Sequence, residues 1–344
     1  MKIGILIGIN SDSCSNYDLY PILEDMPDKL YNLSNYGEQP SSDISIFYNL
    51  YKKYPKKDLN ILTKNDISLK KFNENDIIFG LYDPTSVNYD LGIDVFKKYI
   101  NAIKKTSAKF YPDIKFIELV ASKSKWIKHL NKHNIPVLDT MVVNMNKDKN
   151  YLNNQLKKIK NKGWGDFITK PDIGAYSIGF KMWNSNLKDN QFHKYIDVMK
   201  KKNLGNKLLV QRYVKEFHDF YEIRTYWINN VYKYSVGTII DISTLGTSDE
   251  DTDIDLPENE GGSIEMSLMN KLKKMGRDVL KIMPCDTSLI TRIDFGCCID
   301  NKKICRDYFV NEIEFMPNFF CNETEFPIID ELSKNIIRIC NLKK

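Results

Sequence analysis

The strongest limit on the fold lies in the first 119 residues. Short apolar runs (IGILIGI from Ile3, LNIL from Leu59, DIIFGLY from Asp76, KFIEL from Lys115) alternate there with polar, helix-compatible pieces such as Ile93 to Lys105. That is the βαβ rhythm of a small open parallel sheet, and the opening run reads as its first buried strand. The start, MKIGILIGIN, lacks the basic leader, longer apolar stretch and small-residue cleavage site of a signal peptide. No stretch approaches the roughly twenty apolar residues of a membrane helix, so a cytoplasmic protein without a membrane partner is expected. The stretch Cys14 to Ser42, rich in Asn, Ser, Asp and Pro, reads as a long loop with a helix inside it, and loops of that length are often functional.

With 344 residues, 42% of them apolar and 12% aromatic, the chain can bury a substantial core in two or three domains. The net charge is only +5, and the Lys runs at 104–105, 157–158 and 200–202 do not alternate with aromatics. They read as solvated helix faces, and no nucleic-acid partner is expected. Seven cysteines form no CxxC pair and no Cys/His cluster at zinc spacing, which points to reduced, mostly buried thiols. Cys297, Cys298 and Cys305 flank a hairpin turn expected at 300–303. His129 and His133 stand at i,i+4 without a third ligand nearby, as on a surface helix.

Further along, a helix is predicted over Ser122 to Leu130 with Ser122 as N-cap, ended by Asn134-Ile135-Pro136. A strand at Met141 to Val143 follows, then a helix from Tyr151 to Lys162 closed by Gly163. Strands at Phe167 to Thr169 and Leu208 to Val210 are separated by a loop, and a hairpin turns at Asn229-Asn230. The acidic stretch Ser248 to Glu260 reads as a surface loop, with closure over a substrate or repulsion of anions as alternatives. A helix from Ser267 to Met283 and two strands, around 292–298 and 308–315, complete the pattern.

Three constellations carry chemistry. In the first, Lys170 ends a strand and the loop Pro171 to Gly179, with Ala175, Tyr176 and Ser177, follows directly. Such a loop can lay backbone N–H groups and a hydroxyl over phosphate oxygens while the lysine offsets their charge; a plain β-turn is the alternative. In the second, Gln211, Arg212, Tyr213 and Val214 offer backbone groups to a purine edge. Glu222 and Arg224 then project to one side of a strand, which an ion-paired sheet face would explain equally well. In the third, period-two geometry points Arg292 with Asp294, and Glu312 with Glu314, each pair onto one face. If those strands pair, three carboxylates and an arginine converge. Their mutual repulsion makes a hard divalent ion such as Mg²⁺ the natural occupant, against the alternative of a solvated acidic face.

Taken in order, Lys123, Lys170 with its Ser/Gly loop, Gln211 to Arg224, and Arg292 to Pro317 resemble the ATP-grasp superfamily. Lys123 to Pro136, and Lys170-Pro171 through Ser177-Ile178-Gly179, are similar to D-alanine:D-alanine ligases. Gln211 to Arg224 resembles the ligases that add glutamate to a ribosomal protein, with one extra residue and Glu222 where Asp is usual. At the C-terminal motif Glu314 replaces the usual Asn. The resemblance covers roughly residues 120–325. It implies an α/β (α+β) chain with a small parallel-sheet domain at 1–118, an ATP-grasp subdomain carrying the phosphate loop at 119–210, and a second carrying the metal site at 211–344.

It further implies that Lys123 and Lys170 contact the α and β phosphates and that Ala175 to Ser177, with Gly179, cover the β and γ phosphates. Gln211 to Val214 would hold adenine and Glu222 the ribose. Asp294, Glu312 and Glu314 would bind two Mg²⁺ ions, with Mn²⁺ as a substitute. Arg292, helped by Arg224, would stabilise the transferred phosphoryl group. The implied reaction activates a carboxylate as an acyl phosphate and joins it to an amine of a small molecule, peptide or protein. A small-molecule kinase of the inositol-phosphate type, with Lys181, Arg212 and Lys215 as its basic pocket, and a non-catalytic nucleotide-binding scaffold are the rivals. Asn10 to Ser15 and Asp83 to Ser86, each after a predicted strand, are where the substrate is expected.

Overall fold

A computed structural model of the chain describes residues 1–8, 42–54, 58–174, 178–184, 186–203, 205–218, 222–239, 252–255, 266–299, 305–316 and 327–341. The first sheet is parallel, in the order β2-β1-β3-β4, from strands β1 (Ile3–Leu6), β2 (Leu59–Leu62), β3 (Ile77–Gly80) and β4 (Lys109–Tyr111). Both β1 and β3 are buried along their whole length, as expected of parallel strands covered on both faces, and this is why their sequences run apolar without alternating. Helix α1 (Ser42–Lys53) precedes β2, α2 (Leu69–Phe72) follows it, and α3 (Pro84–Leu91) and α4 (Ile93–Lys105) link β3 to β4. In α4 the residues Ile93, Phe96, Tyr99, Ala102 and Ile103 recur at helical spacing and are the ones it buries.

KFIEL is not a strand. It lies in helix α5 (Ile114–Val120), and the fourth strand is the KFY of β4. Asp113 accepts a hydrogen bond from the Lys115 N–H at 2.7 Å, capping the helix, and Phe116, Ile117 and Val120 go inward at three- and four-residue spacing. A short apolar run fits either period, and here the cap decides. Helix α6 (Lys123–Lys132) follows with Ser122 at its N-cap, as expected. His129 on it and His133 at its C-cap stand at i,i+4 with ring centroids 4.6 Å apart and the rings tilted.

The second sheet is antiparallel, in the order β5-β8-β6-β7, built from β5 (Thr140–Asn144), β6 (Phe167–Pro171), β7 (Lys181–Trp183) and β8 (Lys207–Arg212). Helices α7 (Lys149–Asn161) and α8 (Asp189–Lys202) cover it. Both β7 and α8 lie in the stretch read as a loop before Leu208. The helix was legible, since Phe192, Tyr195, Ile196 and Met199 hold one face.

The third sheet, in the order β11-β10-β9-β12-β13, contains β9 (Glu222–Ile228), β10 (Val231–Ile239), β11 (Thr252–Asp255), β12 (Ile290–Ile299) and β13 (Cys305–Phe315). The expected Asn229-Asn230 turn joins β9 to β10 with both residues at positive φ, 50° and 63°, the backbone a tight hairpin requires. The acidic stretch is not wholly a loop, because β11 pairs antiparallel with β10. The turn at 300–303 and the loop at 14–41 lie outside the described residues. Of the cysteines, Cys285, Cys297, Cys298 and Cys340 are free thiols. Among the described residues no helix is long and apolar enough to cross a membrane.

Helix α9 (Met266–Ile282) lies on this sheet, and α10 (Ile328–Asn341), which the sequence reading passed over, turns back to α1. There Asp330 accepts from Asn49 at 3.4 Å and pairs with Lys53 and Lys334. One apolar core therefore runs from β1 and α1 through Phe116 and Trp126 to Trp227, Phe295 and Ile336, joining the first sheet to the third. The second sheet has a core of its own, from Val143 to Val210.

Gly276 sets the seating of α9. A Cβ there would stand 2.3 Å from the ring of Trp227, which is fully buried and held by its Nε1 donating to Thr225 Oγ1 at 2.8 Å. Gly276→Ala would gain about 1 kcal/mol of helix propensity, but overpacking costs about 1–3 kcal/mol or more and the ring cannot retreat. Net destabilisation of about 1 kcal/mol or more is expected as a lower denaturant midpoint, and a raised midpoint would contradict this packing.

Candidate active site

Strands β9, β12 and β13 lie side by side, and their register puts the charged residues opposite one another. Arg292 faces Glu314, Asp294 faces Glu312, and on the other side Asp294 faces Arg224. Arg292 donates from Nε and Nη2 to the two oxygens of Asp294, both at 2.8 Å, and its Nη2 is 3.0 Å from Glu314 Oε2. Its Nη1 makes no hydrogen bond among the described residues. Arg224 Nε reaches Glu222 Oε2 at 3.3 Å, and Asn311 Nδ2 donates to Glu222 Oε1 at 2.5 Å.

Two lysines close the group. Lys123, in the first turn of α6, holds Glu312 Oε1 at 2.5 Å and donates to the Gly174 carbonyl at 3.1 Å. Lys170, half-buried near the end of β6, makes no ion pair or hydrogen bond through its ammonium among the described residues. Four acids (Glu222, Asp294, Glu312, Glu314) thus meet four bases (Lys123, Lys170, Arg224, Arg292). The repulsion among acids anticipated from sequence is largely offset by these bases, of which Lys123 and Lys170 come from outside the sheet.

Burial raises Glu222, with Asp294 adding to the effect, and it lowers Lys170. It also opposes ionisation of Glu312, but Lys123 and Lys170 outweigh it and hold that carboxyl at about 2. Glu314 fares differently. Burial, reinforced by Glu312 and Asp294, outweighs Arg292 and pushes it up to about 8. One oxygen from each of Asp294, Glu312 and Glu314 lies within 4.8 Å of the others. An all-oxygen donor set of this kind fits Mg²⁺ or Mn²⁺. Ligation requires the Glu314 carboxylate, so a proton must leave, and metal affinity rises with pH until about 8 is passed. A Mn²⁺ titration read by electron paramagnetic resonance should show on the order of tenfold tighter binding at about pH 8.5 than at about pH 6.5. An affinity independent of pH would remove Glu314 from the ligand set.

The residues assigned to adenine lie where β8 ends. Gln211 donates from Nε2 to Thr140 Oγ1 at 2.8 Å, while its buried Oε1 accepts no hydrogen bond among the described residues. The Tyr213 N–H is taken by the Asp166 carbonyl at 3.0 Å, so it is not free for a purine. Val214 packs with Leu138 and Phe309, and Arg212 Nη2 donates to Cys298 Sγ at 3.2 Å. Ala175, Tyr176, Ser177 and Pro317 lie outside the described residues, as do Asn10 to Ser15. Gly179 is described, at φ +77°. Of the basic set the kinase reading needs, Lys181 lies over the Trp183 ring, 4.4 Å from its centroid, and Lys215 is exposed.

Two further residues reach this site, Asp83 from the loop where the substrate is expected and Asp172, which sequence reasoning left without a role. Asp83 caps α3, accepting from the N–H groups of Thr85 and Ser86 at 3.2 Å each, and stands near enough to Lys123 and Glu314 to influence both. Asp172, two residues past Lys170, accepts from Ser122 Oγ at 2.8 Å and from the Ser124 N–H at 2.6 Å. No local pattern marks Asp172, because its partners are about 50 residues away.

No family model and no curated protein matches the chain in sequence. Solved structures do match over nearly its whole length. It is similar to D-cycloserine synthetase DcsG (TM-score 0.63, 12% identity, 98% of this chain and 99% of that one). It is also similar to the D-alanine–D-alanine ligase of Bacillus anthracis (0.57, 14%, 98% and 96%). A third match is a RimK domain protein, ATP-grasp, from Sphaerobacter thermophilus (0.58, 8%, 97% and 98%).

Proposed function

The chain has the ATP-grasp fold, and from that premise we propose that it is an ATP-dependent ligase that activates a carboxylate as an acyl phosphate and joins it to an amine. The observation that carries this reading is Lys170. Lys170 feels Glu312, Glu222 and Asp294 at a distance but makes no direct ion pair or hydrogen bond among the described residues, and a half-buried ammonium with its donors unmet is costly and is tolerated where a ligand brings the acceptors. Lys123 beside it, and the carboxylate set beyond, supply what a metal–triphosphate needs.

In this reading Lys123 and Lys170 hold the phosphate oxygens, and the loop at 175–177 covers them. Gln211 Oε1 accepts from the exocyclic amine of adenine, and Glu222, fixed by Arg224 and Asn311, accepts from the ribose hydroxyls. Asp294, Glu312 and Glu314 hold two divalent ions, which when bound offset the charge on the β and γ phosphates. Arg292, pinned by Asp294, keeps Nη1 for the transferred phosphoryl group. The substrate carboxylate attacks the γ phosphorus as the bond to ADP breaks. The amine then attacks the acyl carbon and phosphate leaves. The substrates lie over the carboxyl ends of β1 and β3, near Asp83 to Ser86, and the division at 1–118, 119–210 and 211–344 separates that region from the two ATP-binding parts.

The test is ADP release from Mg-ATP against pooled carboxylic acids, with and without an amine pool. Release that requires a carboxylate supports the ligase. Release driven by a polyol phosphate would replace it with a kinase, and nucleotide binding without turnover would leave a scaffold.

A further inference from the structure

Asp172 ties together two parts of the molecule whose cores are largely separate, although Leu209 of β8 packs in the core of the first and third sheets. Its backbone belongs to the second sheet, where its N–H donates to the Lys207 carbonyl at 3.1 Å. Helix α6 is anchored elsewhere, with Trp126, Ile127 and Leu130 in the core shared by the first and third sheets. The N-cap residue of α6, Ser122, makes no side-chain cap of its own; its hydroxyl donates to Asp172 instead. The Asp172 carboxylate then accepts from the Ser124 N–H, and its carbonyl accepts from the Lys123 N–H at 3.0 Å. Asp172 is 5% exposed, so these bonds are shielded from water.

We propose that Asp172 is a positioning residue for nucleotide binding: a cap delivered across the cleft that fixes the first turn of α6, and so aims Lys123 at the same anion that Lys170 awaits. Helix N-caps are ordinarily local, and the capping residue stabilises only its own helix. Here the cap comes from the strand that carries Lys170, so the spacing of the two lysines is set by one carboxylate. The inference rests on the nucleotide reading of Lys123 above.

The experiment is a double-mutant cycle in Mg-ADP affinity, measured by calorimetry on wild type, Lys123→Ala, Asp172→Ala and the double variant. If Asp172 acts through Lys123, Asp172→Ala should weaken binding about tenfold in wild type and less than about twofold when Lys123 is already gone. Equal losses in both backgrounds, or no loss in either, would overturn the proposal, because a merely structural role is additive. Should Asp172→Ala fail to fold, Asp172→Asn, which keeps the shape and one acceptor oxygen, is read in the same cycle. Wild type that does not bind Mg-ADP would overturn the nucleotide reading itself. Wild type that binds, with Lys123→Ala weakened and Asp172→Ala intact, would overturn only this inference.

Discussion

Glu312→Gln should lower ATP turnover by on the order of a thousandfold while leaving the fold in place. The substitution conserves shape on a strand whose apolar anchors, Ile313 and Phe315, point the other way. What it removes is the carboxylate that Lys123 and Lys170 hold at about 2. Lys123 would also lose its 2.5 Å ion pair and swing free of the Gly174 carbonyl. ADP release measured beside a thermal melt decides the matter. Turnover within tenfold of wild type would sink the metal-site reading, whereas a lost melt would make the variant uninformative about chemistry and move the test to Glu314→Gln.

Asp294→Ala is expected to act chiefly on stability, by about 3–5 kcal/mol, because it leaves a buried guanidinium without its two-pronged partner. Asp294 is 1% exposed and Arg292 6%, so water cannot replace the lost carboxylate. Glu314, at 3.0 Å, would remain as a single contact in place of the two-pronged pair. Replacing both partners, Arg292→Met with Asp294→Leu, should recover much of the stability and none of the turnover. Denaturant midpoints give the comparison. A loss below about 1 kcal/mol for Asp294→Ala would mean that the pair does not hold these strands together.

The parts of the fold legible in the sequence are those whose signal is local. The Asn229-Asn230 hairpin and the period-two pairing of Arg292 with Asp294 depend on neighbours a few residues away, whereas Ser122 marks the start of α6 but leaves the capping to Asp172. KFIEL misled because five residues satisfy either period, and Asp113, just before it, was not weighed as a cap. Helix α10 was missed although Ile329, Leu332, Ile336 and Ile339 mark its face, since the resemblance ended before it. In the site, the acids and Arg292 could be paired from strand geometry. The Lys123–Glu312 bond and the Asp172 latch could not, because the residues they join lie far apart in the chain.

The separate core of the second sheet has a consequence for kinetics. Trp126 and Trp227 weld the first and third sheets into a single large body, whereas the sheet carrying Lys170 meets that body beside Lys123 through polar links, Asp172 to α6, Lys123 to Gly174 and Asn88 to the Ile173 carbonyl, with Leu209 of β8 as an apolar contact in the shared core. Separating the second sheet from that body would break those polar links together with the apolar contacts of Leu209 and of Val214 with Phe309, so its rate should depend on both. Under the proposed ligase reading, the dwell time of ADP would be set chiefly by this junction and the integrity of the fold by the two cores.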